Sequence, residues 1–524
     1  MLDRLRVRMA RALVRGVRGA RSYSGALGGR LTSSWRSPIS TADAELHESL
    51  QKLRDRSREL VRNSGYAKRA KSIVVNNVVG AGIGMQGQVR PMFREPLEVR
   101  TNDAIESAWD EWTRAENCHT GGRLDFADME RVLMGEVFEA GEVIVRMHHA
   151  PFGDSKIPLG LEVIESERIA DNWVLPPGVA PTRYRLGVEV DQFARPVAYW
   201  INTRHPGDVR AFLGAQVAEQ LVRVPADQII HLAIIDRWPQ SRGVPWLHAA
   251  MRRMNDLDGY AEAEIVAARG AAAYMAVIKS AAADNPLAPE QEPAGEQQFG
   301  LEPGLVQRLE PGDEMLFNNP NRPNPNFDPF LRAILREIAS GIGVSYESLS
   351  RDYSQSNYSS SRLALLDDRD LWRTLQQWFI RSFRARLHRA WIEAAVLSRA
   401  IPTVSIEAYA ARPEKYTEAK FKPRGVGGWV DPEKEVRAYK EAIKAGFTTV
   451  ADVISATGSG MDIEDVLSGR EQELEDMKDR GLVFDTDPAV YAAPKPAPAP
   501  KAEPAEEPKK EEPAERVATL RKVN

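Results

Sequence analysis

Cysteine is nearly absent. Cys118 is the only one in 524 residues, which excludes a disulfide framework and a thiolate zinc site and suits a reducing compartment. Long apolar runs are missing as well. The longest uncharged one, Gly270 to Ile278, has nine residues, about half of what a membrane helix needs, so no membrane span is expected. Nor does one sign of charge dominate: 70 Lys and Arg stand against 74 Asp and Glu, a formal charge of −4. A generic cationic binder of nucleic acid is thereby excluded, and any such role must be local or steric. With 43% apolar and 27% charged residues, the bulk of the chain is globular in composition. Its length suits roughly two to four domains.

The marks of catalysis are missing too. No Gly-Lys pair occurs, so there is no phosphate-binding P-loop of a nucleotide-driven motor. The run Leu232-Ala-Ile-Ile-Asp236 looks like a motor's acidic strand, but without that loop it reads as a buried strand ending in Asp. The eight His residues give no HExxH and no i, i+4 pair. His148 and His149, adjacent in a strand, point to opposite faces and cannot share a metal. His231, in an apolar strand, reads as a satisfied core histidine. No Gly-x-Ser-x-Gly elbow exists. Gly82-Ile-Gly84-Met-Gln-Gly87 can be forced onto a dinucleotide fingerprint, but it follows a helical segment where a strand is required, and it reads as a glycine-rich bend. No catalytic residue, cofactor or metal ligand is expected.

What is present starts with two unusual ends. Residues 1–36 hold nine Arg and one acid, Asp3. Arg4, Arg8, Arg11, Arg15 and Arg18 fall on one helical face. Such a stripe suits nucleic acid or an anionic membrane surface, and equally a solvated arm, and its composition is also that of a transit peptide. From Ala492 the sequence is a Pro/Ala/Glu/Lys tract that cannot bury a core and should be a solvated tail.

Between the ends, helical periodicity runs over 41–79, with a further helix at 103–118 carrying Trp109 and Trp112. From Gly141 to Val224 short runs such as EVIVRMH and PVAYWIN imply an antiparallel β region, continued by QIIHLAII. The helical pattern returns from Trp246 to about Lys279. After a Pro/Gly-rich interruption, another helix has Asp328 as N-cap, Pro329 at N1 and Gly341 past its last turn. Phe330, Ile334 and Ile338 form its apolar stripe. A polar segment then leads to a long helix, about 361–398, with Trp372, Leu375, Phe379, Phe383, Leu387 and Trp391 near one face. VSIEAY (404–409) reads as strand. Asp431-Pro432 opens a helix closed by Gly446, and two shorter helices end near Arg480.

Five segments, in order and spacing, resemble the lambda-type portal proteins of tailed bacteriophages. They are LVRNSGYAKRAKSIVVNNVVGAGIGMQ (60–86); WDEW (109–112) with EAGEVIVR (139–146); VPADQIIHLAIIDRWPQSRGVPWL (224–247); IASGIGVSYESLSRDYSQSNYSSSR (338–362); and GWVDPEKEVRAYKEAIKAGFTTV (428–450). Together they span about residues 50–470, nearly everything but the tails.

The resemblance implies an α+β portal fold forming a homo-oligomeric ring, a dodecamer, around a channel at one capsid vertex of the virion, assembled in the host bacterial cytoplasm. It implies a basic arm (1–40), a wing (41–246), a first stem helix (247–280), a clip (281–326) and a second stem helix (327–345). A tunnel loop (346–361), a long helix and wing return (362–430), a crown (431–484) and a tail (485–524) follow. The implied partners are the terminase large subunit, a head–tail adaptor protein, the major capsid or scaffold protein, and double-stranded DNA passing through. Clip residues Leu305, Val306, Arg308, Glu310, Asp313 and Glu314 would dock partners. Ser354, Gln355, Ser356, Asn357, Tyr358 and Ser359 would line the channel, and Phe330, Ile334 and Ile338 would pack the stem. The chain itself would perform no chemistry. The rival reading is the ATP-driven packaging motor or a nuclease of the same machine, and a third is a monomeric adaptor without a channel.

Overall fold

The computed structural model describes Arg30 and residues 39–92, 97–170, 176, 178–208, 221–273, 276–280, 313–317, 324–423, 432–457 and 463–482. The Arg stripe, most of the expected clip and the Pro-rich tail lie outside the described residues. Two compact units divide at Met461.

The first unit opens with two helices, α1 (Ala42–Asn63) and α2 (Gly65–Val78), where the periodicity implied one. Ser64, extended at φ −93° and ψ 125°, separates them. Thr41 starts α1, its hydroxyl accepting from the Ala44 N–H at 3.2 Å. Leu46, Leu50, Leu60 and Val61 of α1 are buried, as are Ala67, Ala70, Ile73, Val74 and Val78 of α2, at the spacings of a helical face. The chain then bends through Gly80 (φ 64°) and Gly82 (φ 116°) into β1 (Gly84–Gly87). That strand pairs antiparallel with β11 (Ala419–Lys422), so the glycines form a bend and a strand.

Helix α3 (Val99–Trp112) begins earlier than its pattern implied, and a short α4 (Ala115–Cys118) follows. Helix α5 (Phe126–Ala140) was not read in the sequence. Asp125 caps it, accepting from the Asp128 N–H at 2.7 Å, and Gly141, at φ 90°, ends it.

The β region is antiparallel throughout. A three-stranded sheet places β2 (Glu142–His148) between β3 (Gly160–Ile164) and β8 (Ile229–Ala233). A four-stranded sheet runs in sequence order through β4 (Tyr184–Arg185), β5 (Val188–Val190), β6 (Pro196–Asn202) and β7 (Leu221–Pro225).

The next helix, α6 (Met251–Ala273), stops short of the expected Lys279. Ala276–Ser280 is instead strand β9, paired antiparallel with β10 (Asp313–Phe317). Adjacent β-branched Val277 and Ile278 favour that pairing over continued helix. Helix α7 (Phe327–Ile342) also corrects its expected punctuation. Asn326 is the cap residue, Asp328 lies in the first turn, and Gly341 is still helical. Gly343, left-handed at φ 81°, is the terminator, and its N–H reaches the Ala339 and Ser340 carbonyls.

A short α8 (Tyr346–Ser350) precedes α9 (Tyr358–Phe379), which runs through a single π-turn at Ile380–Arg384 into α10 (Ala385–Leu397). The six large residues expected on the face of this long helix, Trp372 through Trp391, are all buried. VSIEAY is not a strand. Ser405 caps helix α11 (Ile406–Ala411), accepting from the Ala408 N–H at 3.1 Å, and α12 (Pro413–Thr417) leads to β11. Helices α13 (Pro432–Lys444) and α14 (Val450–Thr457) complete the described part of the first unit. The second unit contributes α15 (Ile463–Asp479). The expected crown, 431–484, therefore falls across both units. Among the described residues, no helix is long and apolar enough to cross a membrane.

Candidate functional site

Two buried ionic groups fasten the segment that leads into the first expected stem helix and the long helix that follows the expected loop. Glu142, the first residue of β2, is wholly enclosed. Its Oε1 accepts from Arg54 Nη2 at 2.9 Å and Arg242 Nε at 2.8 Å. Its Oε2 accepts from the Gly243 N–H at 2.7 Å and meets His231 Nε2 at 2.9 Å. Arg242 also donates to the Leu186 and Ser166 carbonyls. Burial opposes the charge on Glu142, but Arg242, His231 and Arg54 outweigh it and hold the carboxyl well below its usual range. His231 is thus a satisfied core histidine. The two backbones cross at glycines. A Cβ on Gly141 would lie 2.3 Å from the Val244 carbonyl carbon, and one on Gly243 2.1 Å from the Gly141 oxygen. The segment that leads into α6 is fastened to the sheet at this crossing.

The second pair sits in the long helix. Arg384 Nε lies 2.6 Å from Glu130 Oε1, and the guanidinium stands over Phe126, Trp109 and Phe421 at 4.7, 5.4 and 5.7 Å. It also donates to the Ile83 carbonyl, which fixes the glycine bend to the core.

α6 and α7, the helices expected to form the stem, meet at several points along their length. Trp246 Nε1 donates to the Ile342 carbonyl at 2.9 Å, and Arg253 joins Glu337 at 2.8 Å. Farther along, Tyr260 stacks on Phe327 and meets Phe330 edge-on, with ring centroids 4.8 Å apart in the latter pair. The stripe of α7 is graded: Ile338 is fully buried, Ile334 half-buried and Phe330 46% exposed. Ile265 and Val266 on α6, and Leu363, Leu365 and Leu366 near the start of α9, are exposed.

The expected loop 346–361 contains regular structure at both ends, since α8 and the start of α9 leave only 351–357 irregular. Ser354 and Gln355 are exposed and Ser356 is half-buried. Asn357 caps α9. Its Oδ1 accepts from the Ser360 N–H at 2.8 Å, while Ser360 Oγ accepts from the Asn357 N–H at 3.1 Å. Tyr358 and Ser359 lie in the first helical turn. Asp368 of α9 accepts from the Ser345 N–H and hydroxyl at 3.0 and 2.7 Å. Asp352 accepts from the Ser354 hydroxyl at 2.6 Å, the Ser354 N–H at 3.0 Å and the Tyr346 hydroxyl at 2.8 Å. Those bonds, the Ser354 hydroxyl first, hold its carboxyl down at about 2.

Of the expected clip residues, Asp313 and Glu314 open β10, and Leu305, Val306, Arg308 and Glu310 lie outside the described residues. Glu142, Arg242, Arg384, Asp352 and Asp368 were not singled out in the sequence. Only Asp352, two residues before a serine, carried a local signal, that of an Asx-type turn. Among the described residues, no group of three or more His, Cys, Asp or Glu side chains could hold a metal ion.

Comparison with known proteins matches residues 28–376 to the family described as phage portal protein, lambda family. The chain is 29% identical over 472 residues to a probable portal protein of Halomonas phage phiHAP-1, covering 86% of each. It is 23% identical over 510 residues to portal protein B of Escherichia phage lambda, covering 89% of this chain and 92% of that one. Among solved structures it is similar to a chain in the neck of an empty GTA particle. That match has a TM-score of 0.44 and 15% identity, and it covers 82% of this chain and 98% of the other.

Proposed function

The chain belongs to the lambda family of phage portal proteins, and from that premise we propose that it is the subunit of a dodecameric ring at one capsid vertex, through whose channel the genome is packaged and ejected. Helices α6 and α7 form the stem, 281–326 the clip that receives the terminase large subunit and later the head–tail adaptor, and 351–357 the channel wall. The wing meets capsid or scaffold protein. The ring is assembled in the host cytoplasm and kept in the virion.

One observation carries this reading. Ile265, Val266, Phe330, Leu363, Leu365 and Leu366 are exposed on the stem helices and the start of α9, on elements that one chain alone leaves half-covered. Neighbouring copies in a closed ring would cover them.

The loop chemistry supports the same reading. A duplex sliding both ways under force is slowed by every cation pinned to phosphate. Ser354, Gln355, Ser356 and Asn357 offer uncharged polar groups instead, and the one cation of 351–357, Arg351, stands at the end of the segment next to α8.

On this account the chain is a conduit, and nucleotide hydrolysis belongs to a separate motor. Purified rings should show no ATP turnover above background, with or without double-stranded DNA. DNA-stimulated turnover that disappears in a variant of this chain would overturn the conduit reading in favour of the motor.

A further inference from the structure

Stem and loop are joined through one arginine with two carboxylates in reach. Arg332, on α7, holds Asp328 one turn earlier, Nη2 to Oδ2 at 3.0 Å and Nε to Oδ1 at 3.1 Å. The same Nε lies 3.5 Å from Oδ2 of Asp352, in the irregular segment 351–357. We propose that Arg332 is a positioning residue for that loop, a latch that holds it through Asp352 and can release it while keeping Asp328. The proposal rests on reading 351–357 as channel wall.

The contacts around the pair divide into a fixed base and a movable part. The base is α8, pinned to α9 where Asp368 accepts from Ser345 and from the Ser348 hydroxyl at 3.1 Å. The chain leaves α8 through Arg351, a non-glycine residue in the left-handed region at φ 57°, whose N–H still closes the helix onto the Glu347 carbonyl at 2.9 Å. Such a residue persists only where its surroundings hold it. The next residue, Asp352, ties the chain down immediately after it. This carboxylate gathers the Ser354 N–H and hydroxyl from the loop, the Tyr346 hydroxyl from the base and Arg332 from the stem. The stem touches the group a second time, since the Arg336 guanidinium stands 5.3 Å above the Tyr346 ring.

The shared cation makes release easy. Breaking an ion pair is costly when it strands a buried charge. Here Arg332 keeps Asp328, and Asp352 keeps Tyr346 and Ser354. Both carboxylates are partly open to water, so each pair is weak, and the Asp352 contact at 3.5 Å is the looser of the two beside the 3.0 and 3.1 Å bonds to Asp328. The result is a two-state element. A small displacement of α7 shifts Arg332 from Asp352 to Asp328 alone, and the loop is then held only by its own serine and by Tyr346. Stem motion is converted into loop freedom, in every copy of a ring.

The partners of Arg332 predict substitutions of opposite sign. Amide hydrogen exchange of the segment 351–361 is followed in the full-length chain. Asp352→Asn and Arg332→Ala should speed exchange several-fold, Asp352→Asn more. Asp328→Ala frees Arg332 for Asp352 alone and should slow exchange or leave it as it was. A merely structural cluster would loosen in all three, so exchange speeded by Asp328→Ala, or unmoved by Arg332→Ala, overturns the latch. All these contacts lie within one chain, so exchange reads the latch whatever the assembly. Electron micrographs of the same samples read the ring separately. Monomers that show the predicted exchange pattern would refute the portal reading and leave the latch standing.

Discussion

Arg242 and Glu142 are both completely closed off from water, with Nη2 and Oε1 2.7 Å apart. Arg54 approaches the same oxygen at 2.9 Å from a helix near the start of the described chain. One carboxylate therefore ties α1, β2 and the segment leading into α6. Glu142→Ala should cost about 3–5 kcal/mol, because it removes the counter-charge that two buried guanidinium groups share. Denaturant unfolding of the purified chain measures this, and a loss below 1 kcal/mol would mean that the arginines find water instead.

The same pair predicts acid sensitivity. The folded Glu142 carboxyl is held below its ordinary value of 4.5, so its contribution is present above that value. It is lost as pH falls below it, toward the depressed folded value. Stability of the wild type should decline steeply below about pH 4.5, and that slope should be shallower in Glu142→Gln.

His388 acts in a different window. Burial, with Arg384 nearby, lowers its imidazole from 6.5 to about 4, so the unfolded chain takes up a proton in a range where the folded chain does not. Stability is complete above 6.5 and falls as the pH drops toward 4, by about 3 kcal/mol over the whole interval. His388→Phe, in a site already walled by Trp391 and Phe421, should flatten that interval in unfolding curves recorded between pH 7 and 4.5.

On α7 the burial gradient sets the order of the effects. Ile338→Ala should cost roughly 2–5 kcal/mol per chain and the half-buried Ile334→Ala distinctly less. Phe330→Ala should change the stability of the isolated chain least and lower ring yield most. Thermal unfolding and size-exclusion profiles of the three variants separate the two effects.

Gly141→Ala should be severe, roughly 3–5 kcal/mol, because φ 90° and the Val244 carbonyl carbon 2.3 Å away leave no room for a methyl group. Gly259→Ala is the control, since a Cβ there meets nothing within 4 Å. Comparable expression and unfolding of the two variants would show that the crossing relaxes.

Legibility followed the range of the interactions. The face running from Trp372 to Trp391 repeats at helical spacing, and the strands are short β-branched or aromatic runs bounded by Gly, Pro and Asp, so both could be read from local pattern. Boundaries were decided by contacts that local pattern does not carry. Val277 and Ile278 left the helix because β10 was there to pair with β9. Gly343, and not Gly341, stopped α7 because it alone takes the left-handed conformation. Ser405 turned an apparent strand into a helix by capping it. The ionic node was beyond reach, since Arg54, His231 and Arg242 lie 88, 89 and 100 positions from Glu142. No spacing rule connects them.

The central claim is a closed ring of identical chains around an open channel, and negative-stain electron microscopy of the purified full-length chain tests it most directly. The account predicts end-on views of rings of about twelve subunits with a stain-filled centre. It also predicts that Leu363→Asp combined with Leu366→Asp depletes those rings without unfolding the chain. A uniform field of single, folded chains at concentrations where relatives of this family assemble would contradict it.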